Sequence, residues 1–252
     1  MSFSLTKYGL LSKVTWEVKE DGMPPRTGVT RDRVVEAAVR VADASGAGAL
    51  TMRALAEALG VAPMSLYHHV PNKEAILDAA VDAVFAEVDL PVVGAPWRAE
   101  LRRRAASVRA ALVRHPWALA LMESRRNPGP ATLAHHDAVL GTFRAGGFSL
   151  AATAHAYALL DAFVYGFALQ EATLAFRDSA GGPGPSGAEG RPDVAAAADG
   201  LAEVLGGGAY PHLVEFVGQH ALQPGYSFAA SFEVGLDLVL DGLERLRARG
   251  AG

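Results

Sequence analysis

Residues 50–73 read Leu-Thr-Met-Arg-Ala-Leu-Ala-Glu-Ala-Leu-Gly-Val-Ala-Pro-Met-Ser-Leu-Tyr-His-His-Val-Pro-Asn-Lys, and this segment holds two short helical patterns separated by a glycine. Thr51 is placed to cap the first helix, and Gly60 is placed to end it. Pro63 suits the first turn of a second helix, which we predict to reach about His69. The segment therefore predicts a helix, a tight glycine turn and a second helix.

The two helices are predicted to share an apolar contact across the turn. Leu55 and Leu59 of the first helix are expected to meet Leu66 of the second. This is a helix-turn-helix, whose second helix is narrow enough to enter the major groove of DNA. Leu66 and Val70 are expected to point inward, toward the protein core. The side chains expected to point outward are Pro63, Met64, Ser65, Tyr67, His68 and His69.

The outward side chains suit contact with DNA. Hydroxyl groups and imidazole rings can bond base edges or phosphates, and Met64 can touch a thymine methyl group. Lys73 begins the next helix and suits a phosphate as a mobile point charge. Local charge adds little, because residues 26–73 carry only a small excess of basic side chains. Helix-turn-helix shapes also arise by chance in all-helical proteins, so the pattern alone leaves a purely structural helix pair as an alternative.

The rest of the chain has helical periodicity, and no segment alternates as a strand would. We predict an all-α fold with an N-terminal helix-turn-helix DNA-binding domain at residues 29–73, continued by a linker helix at 74–90. A larger helical domain is predicted at 91–252. Residues 1–28 are predicted to be a flexible N-terminal extension, and the Gly- and Pro-rich residues 179–192 a flexible loop.

Composition narrows the classes of function. The net charge is −4, so any affinity for DNA must come from a local surface. The chain has no cysteine, which excludes disulfides, thiolate metal sites and cysteine nucleophiles. No catalytic, phosphate-binding or metal-binding motif is present, and the adjacent His135 and His136 diverge by about 100° on a helix. We expect no enzyme activity, no metal and no cofactor.

The most apolar stretch, residues 148–169, carries His155 and Asp161 in its middle. A buried core helix accounts for it better than a membrane span, whose centre tolerates charge poorly. The first residues also lack the apolar core of a signal peptide. We therefore expect a cytoplasmic protein with no membrane partner.

The segment Leu66-Tyr-His-His-Val-Pro-Asn-Lys-Glu-Ala-Ile-Leu77 resembles the DNA-binding domain of TetR-family transcriptional regulators, which read Leu-Tyr-x-His-Val, then Asn-Lys, then an apolar helix. The likeness is strong over residues 30–85. Pro63, Met64 and His68 occupy base-reading positions whose residue types differ from those of the tetracycline repressor, which leaves the operator sequence open. The positions that the resemblance places against DNA are Arg53, Ser65, Tyr67, His69 and Lys73.

The remaining chain is similar in layout to the C-terminal domain of the tetracycline-repressor branch. That resemblance implies an effector-binding core, a flexible loop before the penultimate helices and a terminal dimerisation helix. The tetracycline repressor holds a magnesium–drug chelate through a histidine on the short helix that corresponds to residues 118–122. These read Ala-Leu-Ala-Leu-Met here, with no hard ligand for magnesium. A tetracycline–magnesium effector is therefore not expected.

Apolar and aromatic side chains between residues 117 and 170 are candidates for lining an effector cavity. With few polar groups among them, they favour a mostly hydrophobic, planar, uncharged molecule over a sugar or a phosphate ester. The alternative is that they only fill the core, as such side chains commonly do. The candidates are Trp117, Leu121, Met122, His136, Phe143, Asp161, Phe163, Phe167 and Gln170.

The charged side chains of this region are interpreted separately. Asp161 lies in an otherwise apolar helix and needs a partner, a ligand or a place at an interface rim. A second nucleic-acid patch is one interpretation of the arginine run, but a solvated helix face is the favoured one. The run comprises Arg98, Arg102, Arg103, Arg104 and Arg109, with Arg125 and Arg126.

The last predicted helix, at about residues 228–248, carries an apolar seam suited to dimerisation: Phe232, Leu236, Val239 and Leu243. The resemblance to the TetR family implies a homodimeric, ligand-responsive transcriptional regulator, and these features agree with it. We expect a repressor that binds a palindromic operator and is released by a small hydrophobic effector. The alternative is a helical small-molecule-binding protein or enzyme of the same fold without DNA-binding function.

Overall fold

The computed structural model describes residues 29–122, 128–173, 210–221, 223 and 226–249, together with the backbone of residues 174–180. Within those residues there is no strand, and the all-α prediction is confirmed. The predictions for residues 1–28 and for 181–192 of the expected loop lie outside the described part, whereas residues 179–180 of that loop belong to a helix. The helices are α1 (Arg31–Ser45), α2 (Met52–Leu59), α3 (Pro63–Leu66), α4 (Lys73–Ala86), α5 (Trp97–Arg114), α6 (Pro116–Met122), α7 (Pro130–Ala145), α8 (Leu150–Ala180), α9 (Pro211–Phe216) and α10 (Ser231–Arg249).

Side-chain caps set the helix starts of the N-terminal unit, which comprises α1 to α4. Thr30, Thr51 and Asn72 each accept a hydrogen bond from the backbone N–H three residues later, at 3.3, 3.0 and 2.9 Å. Each bond satisfies an N–H that the helix itself leaves unpaired. Helix α4 packs along α1 and continues toward the larger unit. The linker helix was expected to reach residue 90, but it ends at Ala86.

The C-terminal unit comprises α5 to α10 and is organised around α8. This helix packs against α5, α6, α7 and α10. Helix α10 is also held on α5 by ion pairs, since Arg98 contacts Asp241 at 2.7 Å and Arg102 contacts Glu233 at 2.9 Å. The apolar interior is continuous from the N-terminal unit into this one. The two units therefore share one hydrophobic core and are not connected by a linker alone.

The segment Leu150–Thr173 of α8 is long and apolar enough to cross a membrane by length and composition alone. In the structure one side of it packs against four helices and buries Leu160 and Val164 completely, whereas Leu159 and Leu169 on the other side are exposed. Its Asp161 forms an ion pair with Arg104 of α5. These contacts fit the predicted core helix.

The expectation that the arginine run forms a solvated helix face is wrong for Arg104 and Arg109. Arg104 is fully buried, although its neighbours Arg102 and Arg103 remain partly exposed. Arg109 is only partly exposed: it bonds Glu171 of α8 at 2.7 Å and lies 4.8 Å from the centre of the Phe232 ring. The physical reason is that each guanidinium has a carboxylate partner on α8. Arg125 and Arg126 lie outside the described residues.

Candidate DNA-binding surface and effector cavity

Helices α2 and α3 form the predicted helix-turn-helix. Gly60 ends α2 in the left-handed conformation with φ 67°, which a residue with a side chain adopts at a cost. Leu55 and Leu66 are fully buried against each other's helices, and Val70 is buried as well. The inward positions predicted from the sequence are confirmed.

The recognition helix α3 is shorter than expected, because it ends at Leu66 and not near His69. The N–H groups of His69 and Val70 both bond the carbonyl of Leu66, at 2.9 and 3.0 Å. These bonds span three and four residues, so residues 67–69 close one hydrogen-bonded turn onto the end of α3. Residues 71–72 then bend the chain, and α4 begins at Lys73 as a separate helix.

The residues predicted to contact DNA are all exposed or half-buried. Met64 is 72% exposed and Tyr67 47% exposed, at the most prominent points of α3 and its turn. Arg53, Pro63 and His68 are exposed, and the remaining members Ser65, His69 and Lys73 are half-buried. The surface thus combines hydroxyl, imidazole, thioether and cationic groups. Contact with DNA by each of them stays a prediction.

Polar contacts join the two units at the junction of α5 and α6. His115 contacts Asp43 of α1 at 2.7 Å and Glu87, just after α4, at 3.2 Å. Trp117 donates its indole N–H to Asp43 at 2.6 Å. Burial by itself would raise the pKa of Glu87, but hydrogen bonds from Arg114 and His115 outweigh it and lower the pKa. Trp117, a predicted cavity residue, therefore belongs to the junction between the units.

A cavity of about 480 Å³ lies between α4, α6, α7 and α8. Its walls are partly apolar, with Phe85 of α4 and Met122 of α6 on one side and small alanines of α8 on the other. Polar groups enter from α7 and α8. The lining consists of Phe85, Met122, Thr132, His136, Tyr157, Ala158, Asp161, Ala162 and Tyr165.

A buried charge pair underlies this cavity. Arg104 forms an ion pair with Asp161 and donates its Nε–H to Nε2 of His135 at 2.8 Å. Burial opposes the charge on Arg104, but the adjacent carboxylate offsets this and the pKa of the guanidinium is raised. Burial also lowers the pKa of His135 to about 3, with a further contribution from the charge of Arg104. His135 is therefore neutral at physiological pH and acts as an acceptor.

A second polar pair faces the cavity directly. The Tyr157 hydroxyl is hydrogen-bonded to Nδ1 of His136. Burial lowers the pKa of His136 and raises the pKa of Tyr157. Both side chains are consequently uncharged at neutral pH. The cavity is thus bordered by one ion pair whose charges compensate each other and by neutral hydrogen-bonding groups. Arg104, His135, His136, Tyr157 and Asp161 together carry no net charge.

The cavity includes three of the predicted candidates, Met122, His136 and Asp161. Phe143 is instead buried beside Trp97 and Phe148, with ring centres 6.3 and 5.0 Å away. It packs in a core because it lies two turns, about 10 Å, further along α7 than His136, at the level of Trp97 and Phe148. The prediction that Phe143 lines the cavity is not supported.

Phe163 and Phe167 also lie away from this cavity. Both rings pack against Phe232 of α10, with ring centres 5.6 and 5.2 Å from it. The reason is helix geometry: these residues lie on the side of α8 that faces α10, whereas Asp161 faces α7 and α5. Leu121 is half-buried against the core, and Gln170 is exposed, so neither lines this cavity.

The predicted candidates did not include the other six lining residues: Phe85, Thr132, Tyr157, Ala158, Ala162 and Tyr165. Tyr157, Asp161 and Tyr165 are spaced by four residues, which places them on one face of a helix. That spacing was the available signal on α8. Nothing local to α4 or α7 indicates that Phe85 and Thr132 converge on the same space.

The fold and these two sites define a class of protein: a helical transcriptional regulator with a DNA-binding helix-turn-helix and a ligand-binding second unit. Residues 34–80 match the family described as bacterial regulatory proteins, tetR family, and residues 90–247 match the tetracyclin repressor-like C-terminal domain. The chain belongs to the TetR family of transcriptional regulators.

Individual relatives agree with this assignment. The transcriptional repressor DrrR1 of Streptomyces coeruleorubidus is 35% identical over 231 residues, which are 90% of this chain and 82% of that protein. A transcriptional regulator of Saccharopolyspora erythraea is 40% identical over 154 residues, 61% of this chain and 65% of that protein, slightly less than two thirds of its length. The structure of ActR of Streptomyces coelicolor in complex with actinorhodin aligns with a TM-score of 0.66 and 28% identity, covering 88% of this chain and 96% of that one.

Proposed function

We propose that this regulator binds a palindromic operator as a homodimer, represses transcription in the cytoplasm, and is released by a small neutral effector that enters the cavity between α4, α6, α7 and α8. The observation that carries this proposal is that α4 forms a wall of the cavity, through Phe85, and also packs against α1 of the helix-turn-helix unit. In that unit α1 packs on α2, and α2 packs on α3, so a ligand in the cavity touches a helix of the unit that holds α3. The chain acts by binding, without catalysis.

The docking of α3 in the major groove is supported by the exposed position of its outer side chains. Tyr67 and Lys73 flank the helix and suit phosphates, whereas Met64 and Ser65 suit base edges. Contacts to phosphate position the protein on any sequence, and contacts to bases select one. The two groups of residues should therefore affect binding differently.

A band-shift titration tests this docking, using the intergenic DNA upstream of the regulator's own gene. Lys73→Ala is expected to weaken binding to all sequences and to make the salt dependence shallower by about one unit. Met64→Ala is expected to change the preferred bases. Arg103→Ala, which removes an equal charge from the exposed side of α5, is the control and should bind like the wild type. Absence of binding by the wild-type protein would favour the helical ligand-binding protein without DNA-binding function.

The effector class follows from the lining of the cavity. Since the charges of Arg104 and Asp161 compensate each other, a charged ligand would find no counter-ion there. Phe85 and Met122 suit a flat apolar ring system, while Tyr157 and His136 can bond a hydroxyl or carbonyl at its edge. We propose a neutral aromatic molecule with such groups. The structure of ActR in complex with actinorhodin supports a small-molecule effector for a related regulator such as this one.

A probe titration tests the effector class. We expect 1,8-dihydroxyanthraquinone to bind and release the operator complex, and glucose 6-phosphate to do neither. Met122→Trp should fill the cavity and abolish release while operator binding persists. Val113→Trp, which adds the same ring at an exposed position of α5, is the control. Release that survives Met122→Trp would place the effector elsewhere.

The dimer is proposed to form through α8 and α10, but not through the seam expected from the sequence. Phe232, Leu236 and Leu243 are buried inside the protomer. Only Val239 of the predicted seam is partly exposed. A different apolar strip is available: Leu159 of α8 and Val234 and Leu238 of α10 are 56%, 64% and 67% exposed.

A further inference from the structure

Helix α7 takes its N-terminal cap from another helix. Its own N-cap residue, Gly129, has no side chain to offer. Instead the Asp82 carboxylate of α4 accepts hydrogen bonds from the backbone N–H of Thr132 at 2.8 Å, from its hydroxyl at 2.9 Å and from the N–H of Ala131 at 3.3 Å. A carboxylate at this end also complements the helix dipole. Asp82 thus joins the start of α7 to the middle of α4.

The sequence before α7 is fitted to this carboxylate. A Cβ atom at Gly129 would overlap the carboxyl group of Asp82, so a residue with a side chain cannot occupy this place without displacing it. Pro130 follows at the first position of α7, where a missing N–H is tolerated. The Gly-Pro pair therefore permits a close approach of α4 and α7 at this point.

Both partners of this contact also form the wall of the cavity. Thr132, which donates to Asp82, is a lining residue, and so is His136 one turn further along α7. On α4, Phe85 lies three residues after Asp82 and packs against the rings of His135 and His136, at 5.6 and 6.0 Å. A ligand in the cavity consequently presses on both helices beside the place where they are tied together.

Other contacts hold α4 to the C-terminal unit at a different place. Arg114 of α5 pairs with Glu87 at 2.6 Å, just after the end of α4. That contact does not involve α7 or a lining residue of the cavity. It provides a matched comparison, since its removal loosens the attachment of α4 without affecting the cap.

We propose that Asp82 is the positioning residue that transmits the state of α7 and the cavity to α4 and hence to the recognition helix. The inference rests on the proposed function, because it concerns how the cavity and the DNA-binding surface are coupled. Coupling between two sites acts equally in both directions. Operator binding must therefore stabilise α7, and that effect must depend on Asp82.

Hydrogen exchange with and without operator DNA tests this without an effector. In wild-type protein we expect operator binding to slow amide exchange in residues 133–145 of α7 by about fivefold or more. In Asp82→Ala this slowing is expected to vanish, although operator affinity changes by less than about threefold. Asp82→Asn keeps one acceptor oxygen and should retain part of the slowing. Arg114→Gln should retain all of it.

The ratio of exchange rates separates coupling from simple loss of stability. If Asp82 only stabilises α7, Asp82→Ala will raise exchange in the free protein but keep the wild-type ratio between free and operator-bound protein. That result overturns the inference, as does a wild-type α7 that is insensitive to operator. A wild-type chain that binds no operator defeats the proposed function itself, which the band-shift reveals independently.

Discussion

Arg104 is a buried cation whose charge is balanced by Asp161 and whose Nε–H is accepted by His135. Removing one partner from such a pair leaves the other charge buried and uncompensated. The sequence identified only one of the two charged residues of this pair. Asp161 was identified as a residue that needs a partner, whereas Arg104 was grouped with solvated arginines. Arg104 follows Leu101 by three residues, on the apolar face of α5, and that position was the overlooked signal.

Substitution of the pair tests its contribution to stability. Arg104→Met is expected to lower the free energy of unfolding by about 3 kcal/mol, because the Asp161 charge is left in the core. Adding Asp161→Leu should recover part of that loss, since no charge then remains unpaired. Urea unfolding followed by circular dichroism measures both. A double variant as unstable as the sum of the two single variants would show that the pair does not act as a unit.

The lowered pKa of His135 predicts a pH dependence of stability. Its folded-state pKa is about 3, below the ordinary value of 6.5, so the unfolded chain binds this proton first. Stability is therefore complete above about pH 6.5 and falls as the pH drops toward 3. His135→Gln keeps an acceptor for Arg104 and removes the titration. Between pH 7 and pH 5 we expect the variant to lose about 2 kcal/mol less than the wild type in urea unfolding. Equal losses would mean that His135 is protonated in the folded state.

At the scale of helices, local chemistry predicted the N-terminal unit well. Thr51 caps α2 as expected, and Asn72 caps α4 in the same way, because a cap depends on residues three positions apart in the chain. The cap of α7 could not be predicted in this way. Gly129 gives no local signal, and its substitute Asp82 lies 50 residues from Thr132. The shortened α3 likewise depends on backbone bonds to Leu66 that residue types do not specify.

The close approach at Gly129 gives a prediction for this pair of helices. Gly129→Ala should displace the Asp82 carboxylate and lower the free energy of unfolding by about 1–3 kcal/mol. Once Asp82 has become alanine, the added methyl group meets less obstruction. Introduced into the Asp82→Ala variant, Gly129→Ala should therefore lower the free energy of unfolding clearly less than it does in the wild-type protein. Thermal unfolding of the wild type, the two single variants and the double variant provides the double-mutant cycle. Strict additivity would show that Gly129 and Asp82 are independent.

At the scale of the whole molecule, α10 carries two apolar strips with different roles. The strip with the stronger helical periodicity, formed by Phe232, Leu236, Leu240 and Leu243, is buried against α8 within one protomer. The sequence predicted an apolar face on this helix but could not decide which surface it covers, because an intramolecular and an intermolecular seam have the same period. The weaker strip, with Val234 and Leu238, is the one left exposed.

This division predicts which substitutions separate the protomers without unfolding them. Leu159→Glu combined with Leu238→Glu places charges on the exposed apolar faces of α8 and α10, where a partner would have to bury them unpaired. Sedimentation velocity at micromolar concentration should show a monomer with wild-type helicity, and operator binding should be lost because two half-sites must be bound together. Val113→Glu, at a similarly exposed apolar position of α5, should leave the dimer intact. Leu236→Asp should instead unfold the protein, since Leu236 is buried within the protomer. A double variant that still sediments as a dimer would place the interface on another surface.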